Sequence, residues 1–100
     1  MQNNLKYIRY VILINRQKNY SVNVIKKHIE HLKRLDKRDK LVICGPFQDY
    51  DGGIVIIKAE SIDGAKMIAE SDPFIKEGFS TYELRTLELS NTDNQYLLNK

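Results

Sequence analysis

The 100-residue chain has a single cysteine, Cys44, so no disulfide can close within it. That fits a reducing compartment. Cys44 ends the apolar run Leu41-Val42-Ile43-Cys44, which predicts a buried, inert thiol rather than a nucleophile. No stretch approaches the ~20 apolar residues that a membrane-spanning helix needs. The short apolar run Val11 to Ile14 has no small-residue cleavage site after it, so no secretory signal is expected. The chain reads as cytoplasmic, with no membrane partner. A glycine-rich phosphate loop ending in Gly-Lys is missing as well, which removes the commonest nucleotide-binding device. Linkers, repeats and low-complexity segments are also absent, so residues 1–100 are expected to form one domain, with a core over 5–89 and a polar tail over 90–100.

Apolar residues make up 42% of the chain and charged residues 29%, a globular rather than a disordered composition. A domain of this size buries a modest fraction of its surface, so a dimer interface is a useful second place to hide apolar area. The net charge is +3. It is concentrated between residues 26 and 40, where Lys26, Lys27, Lys33, Arg34, Lys37, Arg38 and Lys40 face only Glu30, Asp36 and Asp39. A basic run on one helix is ordinarily a solvated face, and no nucleic-acid partner is expected from it.

Residues 5–14 are rich in β-branched and aromatic types and place Ile8, Tyr10, Ile12 and Ile14 on one face, which predicts a strand. Residues 15–20 form a polar connection. Ser21 can cap a helix running to about Asp39, with Val24, Ile25, Ile29, Leu32 and Leu35 at helical spacing. Lys40 to Cys44 reads as a second strand, ended by Gly45-Pro46. The segment Gln48 to Gly53 is turn chemistry, and Gly52 or Gly53 is expected to adopt positive φ. Ile54 to Lys58 is a third strand, whose unbroken apolar run predicts burial on both faces. Ser61 can cap a second helix that Pro73 stops near Asp72. Thr81 to Leu89 is a fourth strand. The order β-α-β-β-α-β predicts an α+β, ferredoxin-like sandwich, one antiparallel sheet with two helices on one face. The other sheet face is left bare, and a second copy of the chain would cover it. RNA-recognition modules share this order but stack bases on aromatics of the central strands. The third strand here has no aromatic residue.

A helix turns by about 100° per residue. With Val24 at zero, Leu35 falls at about 20°, Leu32 at about 80°, Ile25 at about 100° and Ile29 at about 140°. His28, at about 40°, lies inside this apolar arc and reads as a hydrogen-bonded packing residue. His31, at about 340°, lies at its edge, where a side chain can reach both the interior and a cleft. His31 is therefore the candidate for chemistry. The pair His28-x-x-His31 could hold a metal ion, but no third ligand completes a site, so no metal is expected.

Four motifs in register then carry a family resemblance: His31-Leu32-Lys33-Arg34-Leu35, Cys44-Gly45-Pro46-Phe47, Gly52-Gly53 and Ser71-Asp72-Pro73-Phe74. Together they resemble the YciI-like (YCII-related) proteins over roughly residues 5–89. One departure is Asp39-Lys40, where the family often has a glycine. The resemblance implies a dimeric α/β barrel of ferredoxin-like subunits, akin to muconolactone isomerase. It also implies a His–Asp pair, carried over to His31 and Asp72. The family's chemistry is mostly unassigned, and a few relatives resemble lyases or dehydrochlorinases that act on hydroxylated aromatic rings.

The pair has a clear physical logic. An imidazole exchanges protons near neutral pH, and a carboxylate on one ring nitrogen fixes the tautomer and favours the charged ring. An aspartate before a proline at a helix end is also ordinary turn chemistry. Two functions are open at this point. One is a homodimeric enzyme performing lyase- or isomerase-like acid–base chemistry on a small molecule. His31 would carry the proton and Asp72 would orient it, while Gly45, Pro46, Phe47 and Phe74 would form the ligand pocket, without a cofactor. The other is a non-catalytic ligand-binding or regulatory module that uses the same cleft.

Overall fold

A computed structural model describes residues 5–99. The strands are β1 (Ile8–Arg16), β2 (Leu41–Pro46), β3 (Gly52–Ile57) and β4 (Ser80–Glu88), and the helices are α1 (Val22–Lys37), α2 (Ile62–Ser71) and α3 (Pro73–Lys76). The strands form one sheet in the order β2-β3-β1-β4, and all neighbours are antiparallel. This is the ferredoxin-like sandwich.

Alternation along β1 buries Tyr10, Ile12 and Ile14 against the helices. Val55 and Ile57 of β3 join them, along with Leu35 of α1 and the small pair Ala65 and Ala69 of α2. Ala65 and Ala69 lie one turn apart and are almost fully buried, so α2 packs its backbone close to the sheet. Both long helices begin as the sequence predicts. Ser21 Oγ accepts the Val24 amide at 3.0 Å, and Ser61 Oγ accepts the Gly64 amide at 3.0 Å.

Several boundaries and environments differ from expectation. Strand β1 starts at Ile8, because Leu5–Tyr7 forms a 3₁₀ turn, and it extends to Arg16. Strand β3 is buried on one face only: Val55 and Ile57 are inside, whereas Ile54 and Ile56 are half-buried. The unbroken apolar run therefore reflects a core face backed by the bare face. Cys44 is exposed rather than buried, because β2 is a sheet edge and α1 does not cover it. Neither Gly52 nor Gly53 has positive φ; among the described glycines only Gly78 does. These two are glycines because backbones approach closely. A Cβ at Gly52 would stand 2.0 Å from the Ile14 carbonyl oxygen, and one at Gly53 would stand 2.6 Å from that of Gly45. Asp39, at the family's glycine position, takes the left-handed conformation itself, with φ 59°. In the tail, Asn91 caps a short helical turn over Thr92–Leu97, and Tyr96 and Leu98 are exposed.

Candidate functional site

Helix α2 stops at Ser71 because Pro73 disfavours a helical Asp72. The same proline then starts α3, whose first position suits its fixed φ. Asp72 stands between the two helices as the cap of α3, and its Oδ1 accepts the Phe74 amide at 2.9 Å. That oxygen also lies 2.9 Å from Nδ1 of His28. An ionised carboxylate can only accept, so Nδ1 carries the hydrogen and Nε2 is left uncommitted by this bond. Asp72 is 3% exposed, so the bond is sheltered from water.

The histidine on Asp72 is thus His28, one turn before the expected His31. The cause is the shape of the apolar arc on α1. Its closed part lies on Val24, His31 and Leu35, all buried, with Leu35 in the core itself. Its other half, Ile25, Ile29 and Leu32, faces an open cavity. His28 falls on the border between the two halves, and His31 falls in the closed one. His31 is 7% exposed and does not line the cavity. Burial depresses its pKa below the ordinary 6.5; the nearby Asp72 carboxylate opposes this, while His28 and Arg34 add to it.

His28 is also held by its ring face. It stacks on Phe74 with centroids 3.8 Å apart and planes 10° apart. Tyr20 stacks on the opposite side of Phe74 at 3.9 Å and 7°. The Tyr20 hydroxyl lies 2.7 Å from that of the buried Ser80 on β4. The three-ring stack is therefore fastened at both ends, by Asp72 and by Ser80. The tight stacking limits rotation of the imidazole, so its free edge keeps one direction.

The cavity beside this stack measures about 690 Å³, within the range of small-molecule sites. Gly45, Pro46, Phe47 and Phe74, the residues expected to shape a pocket, all line it. Cys44 lines it too, and burial pushes its thiol up, with Asp36 adding to the effect, which disfavours the nucleophilic thiolate. The walls also include Arg16, Tyr20, Tyr50 and Asp51, none of which stands out in the sequence. Tyr20 carried the one usable signal: an aromatic residue in an otherwise polar connection, directly before a helix cap. Among the described residues no group of three or more His, Cys, Asp or Glu side chains is placed to hold a metal ion. No helix there is long and apolar enough to cross a membrane.

The model of the YCII-related domain matches residues 8–88. This chain belongs to the YCII-related family. Among the relatives of this YCII-related protein is the uncharacterized protein YjpA of Bacillus subtilis strain 168. It is 31% identical over 80 residues, covering 80% of this chain and 94% of YjpA. Solved structures confirm the fold. The 5-chloro-2-hydroxyhydroquinone dehydrochlorinase TftG of Burkholderia phenoliruptrix AC1100, solved with 2,5-dihydroxybenzoquinone, superposes with a TM-score of 0.64. It is 22% identical, and the match covers 85% of this chain and 97% of TftG. A dimeric ferredoxin-like protein of unknown function from Thermobifida fusca YX gives a TM-score of 0.50 at 12% identity, over 82% of this chain and 90% of that one.

Proposed function

We propose that this YCII-related protein binds a small, ring-containing molecule in the cavity beside α1 and moves a proton on it. His28 is the proton carrier and Asp72 its orienting partner. The observation that carries this reading is the 2.9 Å bond from Nδ1 of His28 to a buried carboxylate, at the wall of an open cavity. Asp72 fixes the neutral tautomer with Nε2 as acceptor, and it stabilises the positive ring that forms when Nε2 takes a proton. Phe47 supplies an apolar ring face to the ligand, while Phe74, covered on both faces by His28 and Tyr20, presents only its edge. The chemistry this favours is isomerisation or elimination. In isomerisation, Nε2 of His28 takes a C–H proton and returns it at another carbon. In elimination, Nε2 takes the C–H proton, the C–H electron pair forms the double bond, the leaving group departs from the adjacent carbon with its own bonding pair, and the proton passes to solvent. The likeness to TftG, a dehydrochlorinase solved with a hydroxylated quinone, supports the ring-containing class.

The working unit is a homodimer. The sheet face away from the helices carries Val11, Leu13, Ile43 and Ile56, joined by the pairings Val11↔Ile56 and Ile43↔Ile56. Ile43 alone is 58% exposed. Although β4 sets Glu83 and Arg85 at its margin beside Leu13 and Val11, the apolar part of this face is costly in water and is covered by a second copy. Light scattering should give about twice 11.7 kDa; a monomer at all concentrations would remove the dimer.

The test of function is a metabolite panel screened by native mass spectrometry, followed by turnover assays on the molecules that bind. His28→Gln should keep binding and lower turnover by roughly 10²–10⁴-fold. Binding without turnover in the unmodified protein would make the cavity a ligand-binding or regulatory module instead.

A further inference from the structure

We propose that Arg16 is the anion-recognising residue of this cavity, and that the ligand is a small planar ring bearing an ionised oxygen, a carboxylate or an enolate. This rests on the cavity being a ligand site, as argued above, and adds the charge of what it takes.

The Tyr20 hydroxyl is taken by Ser80, and the Tyr50 hydroxyl donates to Asn15 Oδ1 at 2.8 Å. Neither needs a ligand. His28 has given one nitrogen to Asp72. Among the described residues, the one permanent cation on the wall is Arg16, at the end of β1. Its Nη1 donates to Asn19 Oδ1 at 2.8 Å and its Nη2 to Asp51 Oδ1 at 2.9 Å. A guanidinium has five N–H donors in a planar fork, so these two bonds leave others for a ligand.

Asp51 is a weak competitor for that fork. Its side chain is 77% exposed, and a surface ion pair of this kind contributes little. Tethering the Gln48–Asp51 turn to β1 does not require the guanidinium either, because the Arg16 amide already donates to the Asp51 carbonyl at 2.9 Å. The remaining wall is largely hydrocarbon and glycine backbone, and Gly52 and Gly53 cannot accept side chains there. Such a surface accepts a flat body. An anionic oxygen on that body gains a charge-assisted bond from the partly exposed Arg16 fork. The ligand is then read at two points, by charge at Arg16 and by proton transfer at His28.

The test uses benzoate and its neutral analogue benzamide, titrated by ¹⁵N–¹H NMR into the unmodified protein, Arg16→Gln and Asp51→Asn. Benzoate should shift resonances of cavity residues and bind about tenfold more tightly than benzamide. Arg16→Gln should erase that preference, Arg16→Lys should keep part of it, and Asp51→Asn should strengthen benzoate about threefold by removing the competing carboxylate. Benzamide should respond to none of these changes. Equal binding of the two probes, or a preference that survives in Arg16→Gln, would overturn the role of Arg16 while leaving the cavity a ligand site. Failure of both probes to shift any cavity resonance would overturn both readings.

Discussion

His28 and His31 lie less than one turn apart on α1, yet the helix presents them to opposite surroundings. His31 sits with Val24 and Leu35 on the side closed against the core. His28 sits with Ile25, Ile29 and Leu32 on the side that looks into the cavity. One helix thus uses a single apolar arc for two purposes, one part closed within the molecule and one part lining a cavity, with Leu32 serving both. A histidine becomes a proton carrier by its neighbours, and 60° of rotation is enough to change them.

Truncation is the strongest way to break this contrast. Leu35→Ala should cost about 2–5 kcal/mol, because it empties part of the core. Ile29→Ala, at a position 43% exposed, should cost under about 1 kcal/mol. Urea denaturation reads both, and equal losses would show that the arc has no open half. Next in size is Asp72→Ala, which removes the cap of α3 and strands the buried edge of His28. The two losses together should cost about 2–3 kcal/mol. Asp72→Asn keeps an oxygen that can accept both bonds, so it should cost about 1 kcal/mol or less.

The third contrast lies in pH. Burial holds the folded-state pKa of His31 below its unfolded value of 6.5. Above 6.5 both states are neutral at this position and it contributes no pH dependence. As pH falls through 6.5 the unfolded chain takes up a proton before the folded one does, so stability declines until the folded pKa is passed. His31→Leu should flatten this part of the stability–pH profile. A slope unchanged in that variant would place the effect elsewhere. The smallest expected effect is spectroscopic: in ¹⁵N NMR the neutral form of the His28 ring should be the Nδ1–H tautomer, held by Asp72. A neutral ring in the Nε2–H tautomer would separate the pair.

Most of the fold was legible because its signals are local. The period-two face of β1, the serine caps of α1 and α2 and the proline stop at Asp72 all appear where the spacing puts them. Asp72 and the residues Gly45, Pro46, Phe47 and Phe74 were also within reach, because they belong to the motifs Ser71-Asp72-Pro73-Phe74 and Cys44-Gly45-Pro46-Phe47 that carry the family resemblance. What the sequence hid is long-range. The arc on α1 is wider than one packing stripe requires, and that width signals two surfaces. It does not say which half meets the sheet, and so His31 was favoured over His28. An apolar run looks the same whether another element covers it or not, so the sequence does not show that Cys44 is exposed or that one face of β3 is only half-buried. Arg16 and Asp51 lie 35 residues apart, and only the β1–β3 pairing brings them together.

The oxygen of Asp72 that holds His28 also holds the amide of Phe74. Any fluctuation that frays the start of α3 therefore releases the imidazole at the same moment, and lowers the ring on which that imidazole rests. Exchange of the Phe74 amide hydrogen with solvent thus counts, second by second, how often the site comes apart. A ligand that braces His28 should slow that exchange without touching Phe74 itself.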